Sequence, residues 1–256
     1  DIFIEEAHTA QIFCEQDRIE RVTGGTDAGA GVRVIVGETT AYAYTNDLSL
    51  EGLKNAAEVA AEAARGQAVV KSIDLRRRNP SFELPIVRRP ETVPVADKVA
   101  VVQRANEAAR KADPRVRQVT VSYRDISQKV IIANSAGGWV EDERIRTNLG
   151  LNVIAVEDDK IQTGYESCGG IIGFELFQDN DPVEMAVKAA ERAVRMLGAR
   201  PAPAGRMPVV IAGEAGGTMI HEACGHGLEA DLVQKGISVY TGKLGEQVAS
   251  PLVSVV

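Results

Sequence analysis

The chain has 256 residues, a formal net charge of −7, 45% hydrophobic and 25% charged residues, and three widely spaced cysteines. Length leaves room for a large core and a second unit, and the ordinary composition excludes a disordered or collagen-like chain. The acidic balance argues against a nucleic-acid surface, which needs clustered Lys and Arg. An odd number of cysteines, Cys14, Cys168 and Cys224, excludes a disulfide scaffold and points to a reducing compartment, with the cytoplasm as the expected location. No apolar run approaches the roughly 20 residues that cross a bilayer, and no basic-then-apolar leader opens the chain, which begins at Asp1.

In chain order, β-prone runs come first: Thr9 to Gln16, Ile19 to Thr23, Val32 to Val36 and Ala41 to Tyr44. The alternation of Val32, Val34 and Val36 predicts a strand with one buried face. Gly24-Gly25 and Gly29-Ala30-Gly31 read as turns between these strands, since no phosphate-loop fingerprint accompanies them. Ser49 opens a helix whose stripe of Leu50, Leu53, Ala56, Ala57, Ala60, Ala61 and Ala64 predicts close packing on a sheet, with Gly66 as its stop. The Arg- and Pro-rich stretch from Lys71 to Pro94 reads as a solvated extended connection.

A second helix is predicted from Asp97 to Ala112, ended by Asp113-Pro114. Strands follow over Val116 to Tyr123, Lys129 to Asn134, Glu143 to Val156 and Lys160 to Phe174, with turns at Ser135-Ala136-Gly137-Gly138 and Glu157-Asp158-Asp159. Asp181, Pro182 and Glu184 form a helix start for Val183 to Leu197. These elements predict an α+β fold: a mixed or antiparallel sheet packed with long helices over residues 1–199, a Pro-rich linker at 200–206, and over 207–256 the start of a second, strand-rich metal-binding domain. In that second part Pro208 to Ala212 reads as a buried strand, Gly213 to Gly217 as a turn into a helix, and the chain from Gly236 onward as strand and turn.

Gly216 to Asp231 holds two of the three histidines in the chain. His221 and His226 bracket Glu222 in a His-Glu-x-x-x-His pattern, one residue longer than the zinc-hydrolase spacing that puts two His on one face of a helix. Five residues on a regular α-helix advance roughly 500°, which turns the second ring about 140° away from the first. One π-type turn brings the pair back to one side, and such bulges occur at functional sites. Gly225 is expected to ease that distortion. On this reading His221 and His226 bind Zn²⁺ and Glu222 takes a proton from the metal-bound water. The competing reading is a glycine-rich loop with two unrelated histidines.

The wording His-Glu-Ala-Cys-Gly-His-Gly-Leu-Glu-Ala-Asp, with Lys235-Gly236-Ile237-Ser238 and Gly242-Lys243-Leu244-Gly245-Glu246, resembles the TldD branch of the TldD/PmbA metallopeptidases, once described as modulators of DNA gyrase. Ala28 to Ile35 and Ala43 to Ser49 are similar to that family's N-terminal domain, so the resemblance runs from end to end, and the His-Glu-x-x-x-His segment favours the catalytic branch. The resemblance implies a zinc-dependent peptidase acting on small or unfolded peptides, a homodimer or a heterodimer with a PmbA-like subunit, and a third zinc ligand, a cysteine downstream of this stretch. Without that ligand residues 1–256 are expected to be inactive. Of residues in hand, Cys224 is crowded between the ligands, and Glu229 is better placed, as a stand-in ligand or to orient a histidine. A non-catalytic peptide-binding or scaffold subunit is the alternative. No membrane or direct nucleic-acid partner is expected.

Overall fold

The computed structural model describes residues 1–37, 39–65, 73–78 and 85–255. Its chain divides into two compact units, Asp1–Arg200 and Pro201–Val256. The first is an α+β domain built on long antiparallel strands: β1 (Ile2–Glu15), β2 (Arg18–Val36), β3 (Thr39–Thr45), β5 (Val116–Ala133), β6 (Gly138–Glu157) and β7 (Lys160–Gly170). Short β4 (Arg76–Arg78) runs parallel to the start of β6. The sheet order is β3-β2-β1-β5-β6, with β4 and β7 pairing successive parts of β6. The helices of this unit are α1 (Leu50–Ala63), α2 (Val95–Ala112), the single turn α3 (Leu176–Asp179) and α4 (Pro182–Leu197).

Burial alternates along β5 and β6, so each strand gives one face to the core. Val119, Val121, Tyr123, Leu149, Leu151 and Val153 on the sheet meet Val102, Ala105 and Ala109 of α2 and Ala186, Ala189, Ala190 and Ala193 of α4. The alanine stripe lets α4 approach closely. At Gly164 on β7 a Cβ would stand 2.0 Å from the carbonyl oxygen of Ala189, so only glycine fits under the helix. A smaller cluster joins Ala56 and Ala60 of α1 to Val32. Ser49 caps α1 by accepting from the Gly52 N–H at 3.1 Å, and Asp181 caps α4 by accepting from Val183 N–H at 3.0 Å. Leu50, predicted for the α1 stripe, is 70% exposed, because the stripe starts one turn later. Gly66, the predicted stop, lies outside the described residues, as does part of the Arg- and Pro-rich stretch.

Three readings of the strands need correction. The glycines of Gly24-Gly25 and Gly29-Ala30-Gly31 are not turns: all four lie inside β2, paired with Ala10, Thr9, Glu5 and Phe3 of β1. The turn that joins β1 to β2 is Gln16-Asp17, both at positive φ (49° and 63°), the two-residue loop whose twist matches the strands it connects. Val116 to Tyr123 and Lys129 to Asn134 are one strand, β5, because Arg124 to Gln128 pair on both sides, with β1 and with β6. Lys160 to Phe174 is strand only to Gly170, after which Gly173 and Glu175 fold the chain towards α3.

Buried charge marks the middle of the core. Lys98 on α2 forms a buried ion pair with Asp125 on β5, and the Tyr123 hydroxyl donates to the same carboxylate at 2.6 Å. The carboxylate of Glu175, also buried, accepts from the backbone N–H groups of Val87, Arg88 and Gly173, tying the chain before α2 to the chain after β7.

The second unit has α5 (Gly213–Ile220) and α6 (Ala230–Gln234) and no strand among its described residues. The expected strand over Pro208 to Ala212 has no strand partner among the described residues, and Val210 is fully exposed. A strand needs a hydrogen-bonding neighbour, and no described segment supplies one. The chain after Gly236 is a series of turns for the same reason. No described helix is long and apolar enough to cross a membrane.

Candidate metal centre

Gly213 to Gly217, read as a turn, forms the first half of α5. Ala212 starts it, its carbonyl accepting from the N–H groups of Ala215 and Gly216. His221 therefore stands at the end of α5 rather than in its first turns.

There the helix widens. His221–Gly225 is a single π-turn, and its wide hydrogen bond runs between the two histidines themselves: the N–H of His226 donates to the carbonyl of His221. The extra residue in the turn absorbs the mismatch between a five-residue spacing and 3.6 residues per turn. The ring centroids lie 4.4 Å apart with an interplanar angle of 67°. One nitrogen from each ring and one Glu222 carboxylate oxygen all fall within 4.8 Å of one another. No other such group of His, Cys, Asp and Glu occurs among the described residues.

Gly225 does not carry the distortion expected of it. Its φ of −59° and ψ of −52° are ordinary right-handed values. A Cβ there would be 3.6 Å from Nδ1 of His221, in normal contact. The π-turn is a change in hydrogen-bond partner, and His221, Gly225 and His226 at its two ends keep helical torsions.

The remaining residues of the segment have separate places. Glu229 Oε1 is 3.0 Å from Nδ1 of His226, and Glu222 Oε2 is 3.7 Å from its Nε2. The two nitrogens of that ring are thus approached by different carboxylates. The Cys224 thiol donates to the Ile220 carbonyl one turn back, at 3.2 Å, and is not part of the convergent group. Glu229 is outside that group as well, and its contact is to the imidazole.

A short loop braces the ligand-bearing turn. His226–Leu228 tightens into a 3₁₀ turn, and the Gly227 carbonyl accepts from the Ser238 hydroxyl at 2.5 Å. A Cβ on Gly227 would stand 2.9 Å from the Tyr240 ring, so glycine lets the ring lie against the backbone beside His226. Ser238 is delivered there by the end of α6. The N–H of Ile237 bonds to the Leu232 carbonyl and that of Gly236, at φ 74°, to Val233, the paired closure that needs a left-handed residue. Sequence reasoning quoted Lys235 to Ser238 as wording, and missed its part in bracing the site. The signal was Gly at the stop of a short helix followed by a hydroxyl residue.

Comparison with known proteins gives the chain its relatives. Residues 1–64, 88–197 and 204–256 match, in turn, the PmbA/TldA metallopeptidase domain 1, central domain and C-terminal domain. A metalloprotease of Methanothermobacter thermautotrophicus is 34% identical over 260 residues, covering 100% of this chain and 56% of that protein. A TldD-homologue metalloprotease of Haemophilus influenzae is 33% identical, covering 100% of this chain and 55% of that protein. The chain thus spans a little over half the length of these relatives. A crystal structure from Thermotoga maritima, described as a proposed modulator of DNA gyrase, matches with a TM-score of 0.76 and 26% identity, over 98% of this chain and 56% of that one.

Proposed function

From the premise that this chain belongs to the PmbA/TldD metallopeptidase family, we propose that it carries the hydrolytic centre of a zinc-dependent peptidase, with His221 and His226 as ligands and Glu222 as general base. The observation that supports this is the π-turn, which gathers two imidazoles and a carboxylate within 4.8 Å. Two converging imidazole nitrogens are donors suited to zinc. A bound zinc ion supplies a lowered pKa for coordinated water and polarises a peptide carbonyl.

Glu222 is the chain's own proton carrier at this centre. It sits on the ligand-bearing turn with a side chain 66% exposed, and so is open to accept a proton from an attacking water and pass it to the departing amine. Glu229 holds the His226 ring through Nδ1 and leaves Nε2 for the ion. Catalytic zinc ordinarily has three protein ligands. With Glu222 committed as base, the described residues supply two, and the resemblance assigns the third to a downstream cysteine. We assign small or unfolded peptides as substrates, and a homodimer or a heterodimer with a PmbA-like subunit as the assembly.

The test is Glu222→Gln in a protein spanning all three ligands. Peptide cleavage is expected to fall by about 10²-fold or more, with zinc and peptide still bound. Undiminished cleavage would return the segment to a structural role in a peptide-binding subunit.

A further inference from the structure

On the face of the sheet turned away from α2 and α4, the first unit has a cavity of about 800 Å³. Strand register builds it. Arg124 on β5 is opposite Asn148 on β6, which is opposite Gly169 on β7; in the next row of the same face Ser122, Gly150 and Ser167 align. The pleat sends their neighbours, Tyr123, Leu149 and Cys168, to the helix side, where Tyr123 and Leu149 are buried in the core and Cys168 packs against it.

Glycine makes the recess. A Cβ on Gly150 would be 3.2 Å from the Ser122 hydroxyl and 3.6 Å from the Tyr165 hydroxyl, and one on Gly169 would be 2.0 Å from Oδ1 of Asn148. Any larger residue in either position fills the floor. Around it stand one guanidinium and the hydroxyl and amide groups of Ser122, Asn148, Tyr165, Ser167 and Asn180.

The charge is the informative part. The chain is acidic overall, yet among the described residues no Asp or Glu lines this cavity. Several arginines of the first unit are paired, as Arg33 with Asp1, Arg89 with Glu143 and Arg144 with Asp142. Arg124 has no carboxylate within 4 Å among the described residues. A planar guanidinium surrounded by neutral donors suits one planar monoanion better than a phosphate, which ordinarily gathers several cations.

We propose that this cavity is a carboxylate-binding site centred on Arg124, and that it takes the free C-terminus of a short peptide. The first part stands on the cavity alone, while the choice of a peptide rests on the peptidase reading.

Titration of the chain with N-acetyl-dialanine, and separately with its C-terminal amide, tests this by calorimetry and by amide shifts in the NMR spectrum. The acid is expected to bind about tenfold or more tightly than the amide, shifting Ser122, Asn148 and Ser167. Arg124→Gln, an exposed change that leaves the core intact, should abolish the difference, and Glu222→Gln should not. Equal binding of acid and amide, shifts confined to other residues, or no binding of the acid would overturn the site. Preference for inorganic phosphate over the acid would overturn the carboxylate assignment. Acetate competing as well as the dipeptide acid would overturn the peptide assignment alone. Since Glu222→Gln reads the peptidase proposal and Arg124→Gln this one, the two can fail separately.

Discussion

Oε1 of Glu229 is bonded to Nδ1 of His226 at 3.0 Å, while the other nitrogen of that ring faces Glu222 at 3.7 Å. The imidazole is thereby fixed in orientation before any ion arrives. A carboxylate behind a ligating histidine sets which nitrogen is available, and its removal typically lowers metal affinity by 10- to 100-fold. Glu229→Ala is expected to show that loss in a competition titration with a chromogenic chelator, with the circular dichroism spectrum unchanged. Full affinity in the variant would mean the contact orients nothing.

The approach of α4 to β7 sets a second expectation. Gly164→Ala places a methyl group where the Ala189 carbonyl oxygen lies 2.0 Å away. Backbone cannot yield there as a side-chain tip would. The substitution should destabilise the first unit by at least about 2 kcal/mol, seen as a lower urea midpoint, whereas Gly31→Ala, on an open stretch of β2, should shift the midpoint far less.

Lys98 and Asp125 give a third. Both are about 4% exposed, so removing one strands the other charge in the core. Asp125→Ala is expected to cost about 3–5 kcal/mol, and the double change Lys98→Met with Asp125→Leu considerably less than either single change. Chemical denaturation of the three variants measures the difference.

Acid sensitivity follows from Glu175. Burial opposes ionisation of its carboxyl, but the N–H groups of Val87, Arg88 and Gly173 outweigh it and hold the pKa below the ordinary glutamate value. A depressed carboxylate stabilises the fold fully above its unfolded pKa of about 4.3, and that contribution is lost as pH falls through the folded value. The stability gap between the native chain and Glu175→Gln should therefore be constant above about pH 5 and narrow below about pH 4. A gap that widened on acidification would reverse the sign.

Much of this molecule can be read from its residues because local signals and tertiary outcome agree. Ser49, Asp113 and Asp181 marked helix ends correctly, and the alternating Val pattern marked β2. The five-residue His spacing, taken with helix geometry, anticipated the π-turn. Where the reading failed, a partner strand decided. Glycines in β2 are tolerated because β1 pairs along the whole stretch that holds them, and the turn at Gln16-Asp17 carried no glycine to announce it. Pro208 to Ala212 failed in the opposite sense, with strand-like residues and no partner among the described residues. The Arg124 cavity could not be read at all, since its rows exist only once the registers of three strands are fixed.

That bare segment has a further consequence for handling the protein. Val209, Val210 and Ile211 are 71%, 100% and 43% exposed, adjacent and uncharged, a combination that recruits copies of itself through backbone pairing. Concentrated samples of this chain should accordingly thicken into β-rich oligomers that begin at these three residues, and a single lysine in place of Val210 should keep them dispersed.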